Sequence, residues 1–161
     1  MPSESDVLVR STLDAPWLPS GSRAEVVRSS VAPSPACLVR LLLRRGAEVF
    51  CVPREQTGAL DLPTRVVETS GVETSDPDGR ATAERLAHDV LGQAAPLAPV
   101  GFVRNVVAEG VPGYAWPVPL AHFVIWETTG VPVVEGQWVD ARGPGSPLTE
   151  RHWFPLLSAL G

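Results

Sequence analysis

Apolar residues crowd the middle of the chain in "ACLVRLLLRRGAEVFCVPRE" (residues 36–55), where two runs, 37–43 and 49–52, flank Arg45, Gly46 and Ala47. Two apolar runs around a short glycine-containing turn predict a β-hairpin. "LDLPTRVVE" follows as a short extended segment with Pro63 inside it. The period then changes. Over residues 81–91, Leu86 and Val90 recur at four-residue spacing with Ala83 and Ala87 beside them, which predicts an amphipathic helix. It is preceded by the turn-rich loop "TSGVETSDPDGR", where Asp76–Pro77 or Asp78 can cap it, and it stops at Gly92.

Beyond the helix, "VGFVRNVV" and "LAHFVIWE" read as strands, separated by the Gly/Pro/aromatic loop "AEGVPGYAWPVP". "GQWVDA" predicts another strand, and "SPLTERHWFPLLSAL" a closing helix broken near Pro155. Residues 1–35 are Ser/Pro-rich and read as an N-terminal arm with a short strand at "DVLVR", leaving 36–161 as the domain. Hairpin, extended segment, helix, strands and helix in that order imply an α+β fold, an α/β/α sandwich on a mixed central β-sheet.

Composition narrows the function classes. The 161 residues are 44% hydrophobic and 19% charged with a formal net charge of −5, in the range of one globular domain. A chain of this size buries roughly 70% of its unfolded surface, so it needs neither disulfide nor metal to fold. The acidic balance argues against nucleic acid, and the nearest thing to a basic patch, Arg40, Arg44 and Arg45, reads as the solvent face or end of a strand. All basic residues are arginine, which excludes a P-loop lysine and Schiff-base chemistry. Cys37 and Cys51 sit among apolar residues and read as buried reduced thiols of a cytoplasmic protein. No apolar run reaches the roughly 20 residues of a membrane helix.

The order of these landmarks resembles the Nudix hydrolase superfamily over about residues 36–160. "TGALDLPTRVVE" looks like the approach to the Nudix box, "AERLAHDVLG" like its helix and "GQWVDA" like the late tryptophan strand. The resemblance implies cleavage of a nucleoside diphosphate linked to a second moiety, with magnesium or manganese neutralising the diphosphate and activating water. Magnesium takes hard oxygen ligands. In the box G-x5-E-x7-R-E-U-x-E-E-x-G-U they come from glutamates sharing one helix face.

Here the box is degenerate. Aligning Leu86 with the buried leucine puts Glu84 at the arginine, Arg85 at the first glutamate, and His88 and Asp89 at the paired glutamates. Aligning Gly92 instead puts Leu86, Asp89 and Val90 at those three positions. The first register keeps Leu86 and Val90 facing the core and is preferred. Either way Asp89 alone keeps a carboxylate at a ligand position, with Asp76 a candidate for the upstream glutamate. Thr64 and Arg65 stand where the family carries two glycines.

The candidates follow from this alignment. Glu84 and Asp89 are the catalytic candidates, and Asp89, Asp76 and His88 the metal-ligand candidates. Arg65, Arg85, Arg104, Tyr114 and Trp116 are the substrate-binding candidates. Arginines bind phosphate in bidentate fashion, and Tyr114 and Trp116 either stack on a planar ligand or lid the core. His122 reads as a satisfied strand histidine, His152 has no partner signal, and Glu127 and Glu135 read as surface charges.

Three functions are compatible with these residues. One is a Nudix-type hydrolase of a nucleotide-like diphosphate compound, using Mg or Mn. The second is a non-catalytic Nudix-fold protein that binds a small nucleotide-like ligand, with no cofactor. The third is an interaction domain whose arm clasps a partner subunit in a homodimer.

Overall fold

The computed structural model describes residues 6–68 and 76–161; the loop expected between the hairpin and the helix lies partly outside these, at 69–75. In chain order the strands are β1 (Val7–Leu13), β2 (Arg23–Arg28), β3 (Ala36–Arg45), β4 (Glu48–Pro53), β5 (Leu60–Asp61) and β6 (Thr64–Val66). Helix α1 (Arg80–Leu91) follows, then β7 (Ala98–Val106), β8 (Leu120–Thr128) and β9 (Gln137–Asp140). A 3-10 turn at Pro147–Glu150 and the short helix α2 (Pro155–Leu160) close the chain.

The strands form one mixed sheet in the order β1-β2-β7-β8-β3-β4-β5, with β6 against β3 and β9 against β4. β3 and β8 run parallel, while the neighbouring pairs are antiparallel. Because strand side chains alternate, a central strand covered on both faces must be apolar almost throughout. β3 shows this. Val39, Leu41 and Leu43 pack with Ala83, Leu86, Ala87 and Val90 of α1, while Leu38 and Leu42 pack with Leu148, Trp153 and Leu156 on the opposite face. Helix, sheet and helix therefore form the expected α/β/α sandwich, and Leu86 and Val90 are buried as their spacing predicts.

Two features differ from the sequence reading. Among the described residues of the segment read as an arm, β1 pairs with β2 and β2 with β7 inside the sheet. The Ser/Pro-rich stretches on either side hide "RAEVVR", whose Ala24, Val26 and Val27 are core residues. The segment expected to clasp a homodimer is thus part of this chain's own sheet. The β3–β4 hairpin is paired only at its tip, Arg44 with Val49 and Arg45 with Glu48, because β6 takes the edge of β3 from Leu38 to Arg40. The closing segment is broken near Pro155 as expected, into the 3-10 turn and α2, and Pro155 takes the first position of α2, which suits a residue with no amide to donate. Among the described residues no helix is long and apolar enough to cross a membrane.

Close packing of α2 against β2 and β7 depends on Gly101. A Cβ there would lie 2.4 Å from the Val27 carbonyl oxygen and 2.7 Å from a Leu156 methyl. Gly101→Ala is expected to cost at least about 1–3 kcal/mol, the usual range for overpacking. Urea unfolding checks this, and an unchanged midpoint would contradict the packing described.

Candidate functional site

α1 begins at Gly79, whose φ of 79° is a left-handed conformation that favours glycine. Its exposed amides are met from outside the helix by Asp76. The Asp76 carboxylate accepts from the Ala81 amide at 2.9 Å, the Thr82 amide at 2.8 Å and the Thr82 hydroxyl at 2.6 Å. Burial opposes the charge, but the Thr82 hydroxyl, the two amides and nearby Arg85 outweigh it and hold Asp76 below the usual carboxylate range. Asp76 is therefore a helix cap, with its oxygens already engaged.

Asp89, the other box carboxylate, is met by Arg65 of β6 at 2.5 Å. Both side chains are largely exposed, so the pair contributes under about 1 kcal/mol to stability. Its importance is positional, since a guanidinium stands beside the one carboxylate that both box registers keep. Arg85 reaches the Thr82 hydroxyl at 3.4 Å, and Glu84 and His88 are exposed on the same helix. Among the described residues no three His, Cys, Asp or Glu side chains converge to hold a metal ion. An octahedral magnesium needs several free oxygens, and this donor set, with Asp76 capping and Asp89 paired, does not fit one.

The substrate-binding candidates are divided by the sheet. Arg65 and Arg85 lie on the α1 side. Trp116 packs edge-on to Phe123 at 5.2 Å in the core of the other face, and the Asn105 amide donates to the Tyr114 hydroxyl at 3.4 Å. Arg104 joins neither group; its guanidinium pairs with buried Glu25 at 2.8 Å. Tyr114 and Trp116 both pack inward and line a cavity of about 420 Å³ that also takes in Trp17, Trp153, Arg40 and Arg54. A second cavity of about 490 Å³, with Gln56, Asp61 and Thr64 on its walls, shares Leu38, Arg40 and Arg54 with the first.

Asp61 lines the second cavity, with only 2% of its surface exposed. Its Oδ2 accepts from Arg40 Nη1 at 3.1 Å and Arg54 Nε at 2.8 Å, with Arg54 Nη2 also in contact. Its Oδ1 accepts from the Trp153 indole at 2.8 Å and the Leu62 amide at 2.8 Å. Burial works against the Asp61 charge, but Arg40, Arg54 and Trp153 overcome it and keep the carboxyl below its ordinary range. Arg40 is also pulled below its usual value, first by burial and then by Arg54 and Arg151, even with Asp61 alongside. Arg151 donates twice to the Leu60 carbonyl, at 2.9 and 2.7 Å. His152 stacks on Trp17 with ring centres 4.1 Å apart, and burial followed by the neighbouring arginines lowers its pKa.

Arg40 was therefore misread as a strand-face cation and His152 as a residue without a partner. Arg54, Asp61, Arg151, Trp153 and Trp17 were missed. One signal for them existed, because Asp61 is a lone carboxylate within "ALDLP", and a buried charge requires partners. His122 does behave as a satisfied strand histidine, with Nδ1 3.0 Å from the Pro35 carbonyl oxygen. Glu127 is paired with Arg44 at 2.5 Å. Cys37 and Cys51 are free and buried, and burial is the main cause that pushes each thiol up to about 12.

No known family model and no curated protein matches the chain. Among solved structures it is similar to a glutamate-to-alanine mutant of the Bacillus subtilis pyrophosphohydrolase BsRppH. The TM-score is 0.52 at 13% identity, over 92% of this chain and 87% of that one. At such low identity the likeness shows the fold, which is Nudix-like with a mixed central sheet.

The role of Asp76 predicts a pH signature. A carboxyl whose pKa is depressed on folding stabilises above its unfolded value, about 3.9, and loses that contribution as pH falls through the folded value. Asp76→Ala should cost about 1–2 kcal/mol at pH 7, the upper range for a cap. The gap from wild type should shrink in urea titrations as pH falls below the unfolded carboxyl value of about 3.9. A gap constant with pH would remove Asp76 from the cap.

Proposed function

We propose that this Nudix-fold chain binds a nucleotide-like small molecule without a divalent metal and does not carry out magnesium-dependent hydrolysis. The observation that carries this reading is the engagement of both box carboxylates, Asp89 by Arg65 and Asp76 by the amides of α1. Water activation in metal hydrolases needs a cation held by free oxygens. A magnesium ion near Asp89 would meet the charge of Arg65 at close range. The aromatic and arginine-lined cavity on the opposite face supplies what a planar anionic ligand needs in its place.

A second reading is a hydrolase of a nucleoside-diphosphate-linked compound with displaced metal ligands. It is supported by the fold likeness to a pyrophosphohydrolase. It requires Asp89 to leave Arg65.

Calorimetry and thermal shift separate the two. Mg²⁺ and Mn²⁺ are expected to bind no more tightly than the millimolar range. Nucleotides that raise the melting temperature should do so equally in EDTA and in Mg²⁺. Micromolar Mg²⁺ binding, together with hydrolysis of a nucleoside-diphosphate sugar to the nucleoside monophosphate and the sugar phosphate, would establish the hydrolase instead.

A further inference from the structure

The protein is acidic as a whole, with a net charge of −5, yet three guanidiniums gather around one buried carboxylate. Asp61 uses both oxygens within the cluster, and Arg151 is turned onto the Leu60 carbonyl. Each guanidinium carries five N–H donors. Among the described residues, Arg40 gives one nitrogen to Asp61 and Thr64, and Arg54 gives two to Asp61. Donors therefore remain on both, and both residues line each of the two cavities. The exposed Glu55 stands on the wall of the second cavity, and Glu150 lines a separate cleft with Arg151 and His152.

We propose that Arg40 and Arg54, reinforced by the charge of Arg151, dock the phosphate of a phosphate monoester whose planar ring lies against Tyr114 and Trp116. This deepens the ligand-binding reading above and rests on it for the ring. Arg40, Arg54 and Arg151 against the Asp61 carboxylate leave a surplus of two, or of one with the exposed Glu55 of the second cavity counted. A phosphate monoester carries about −1.5 to −2 at neutral pH, opposite in sign to that surplus. Guanidinium forks suit phosphate oxygens in a way that a lone ammonium does not. The cavity of about 420 Å³ beside Arg40 and Arg54 lies within the range of small-molecule sites. Asp61 fixes both arginines before any ligand arrives, so little ordering remains to be done on binding.

The test is titration calorimetry of the full chain in EDTA, using the four ribonucleoside 5′-monophosphates, their nucleosides and inorganic phosphate. At least one monophosphate should bind tenfold or more tightly than its nucleoside, and inorganic phosphate should displace it. Arg54→Ala, shown to be folded by circular dichroism, should weaken the monophosphate at least tenfold and leave the nucleoside unaffected. Should that variant unfold, Arg54→Lys keeps the charge without the fork and should still weaken the monophosphate several-fold. Nucleoside and monophosphate binding alike would overturn the arginine site while the ligand-binding reading stood. Inorganic phosphate binding with no effect of any nucleoside would support the arginine site and remove the nucleotide-like ligand. No binding of monophosphate or phosphate would overturn the proposal.

Discussion

A carboxylate taken out of water costs several kcal/mol unless its lone pairs are met. At Asp61 they are met by Arg40 of β3, Arg54 just beyond β4, the Leu62 amide after β5 and the Trp153 indole ahead of α2. β3 and the C-terminal segment, 21 and 92 residues from Asp61, are thus tied to the β4–β5 region by one ion. Losing one partner of such a buried pair costs about 3–5 kcal/mol, because the remaining charge is left uncompensated. Both cavities share Arg40 and Arg54, the arginines that this carboxylate holds.

The sheet separates two kinds of chemistry. On the α1 side the packing residues of a Nudix-type helix are present, and Leu86, Ala87 and Val90 are buried against β3. The polar face of the same helix carries Glu84, Arg85, His88 and Asp89, with Asp89 held by Arg65. Packing and ligation occupy different faces of a helix, so substitution on one leaves the other intact. That explains how the fold persists while the donor set for a divalent ion does not.

How much of this was legible in the sequence follows from the same separation. Periodicity reports local burial, and it located α1, β7, β8 and β9, while the apolar runs marked β3 and β4. It lost β2, because four consecutive buried residues between Ser/Pro-rich stretches give no alternation to read. The Arg65–Asp89 contact spans 24 residues and the Asp61–Trp153 contact spans 92. No spacing rule links such residues. The sequence does mark Asp61 as a charge among leucines, but its partners emerge only when β3, β4 and the C-terminal segment come together. The split of Arg65 and Arg85 from Tyr114 and Trp116 was hidden for the same reason, since a motif places residues along the chain and not on a face of the sheet.

An arginine and a divalent cation both neutralise phosphate, but they differ in what they do to water. A metal lowers the pKa of a bound water from 15.7 towards 7 and so supplies a nucleophile. A guanidinium stays protonated above pH 12 and has only N–H groups to offer, so it orients oxygens without acidifying them. A cleft built on Arg40 and Arg54 could hold a phosphate firmly and still leave its bonds intact. On the far side of the sheet the Arg65–Asp89 pair sets a guanidinium beside a carboxylate. Under the binding reading proposed above, both arrangements favour retention of a ligand over its cleavage.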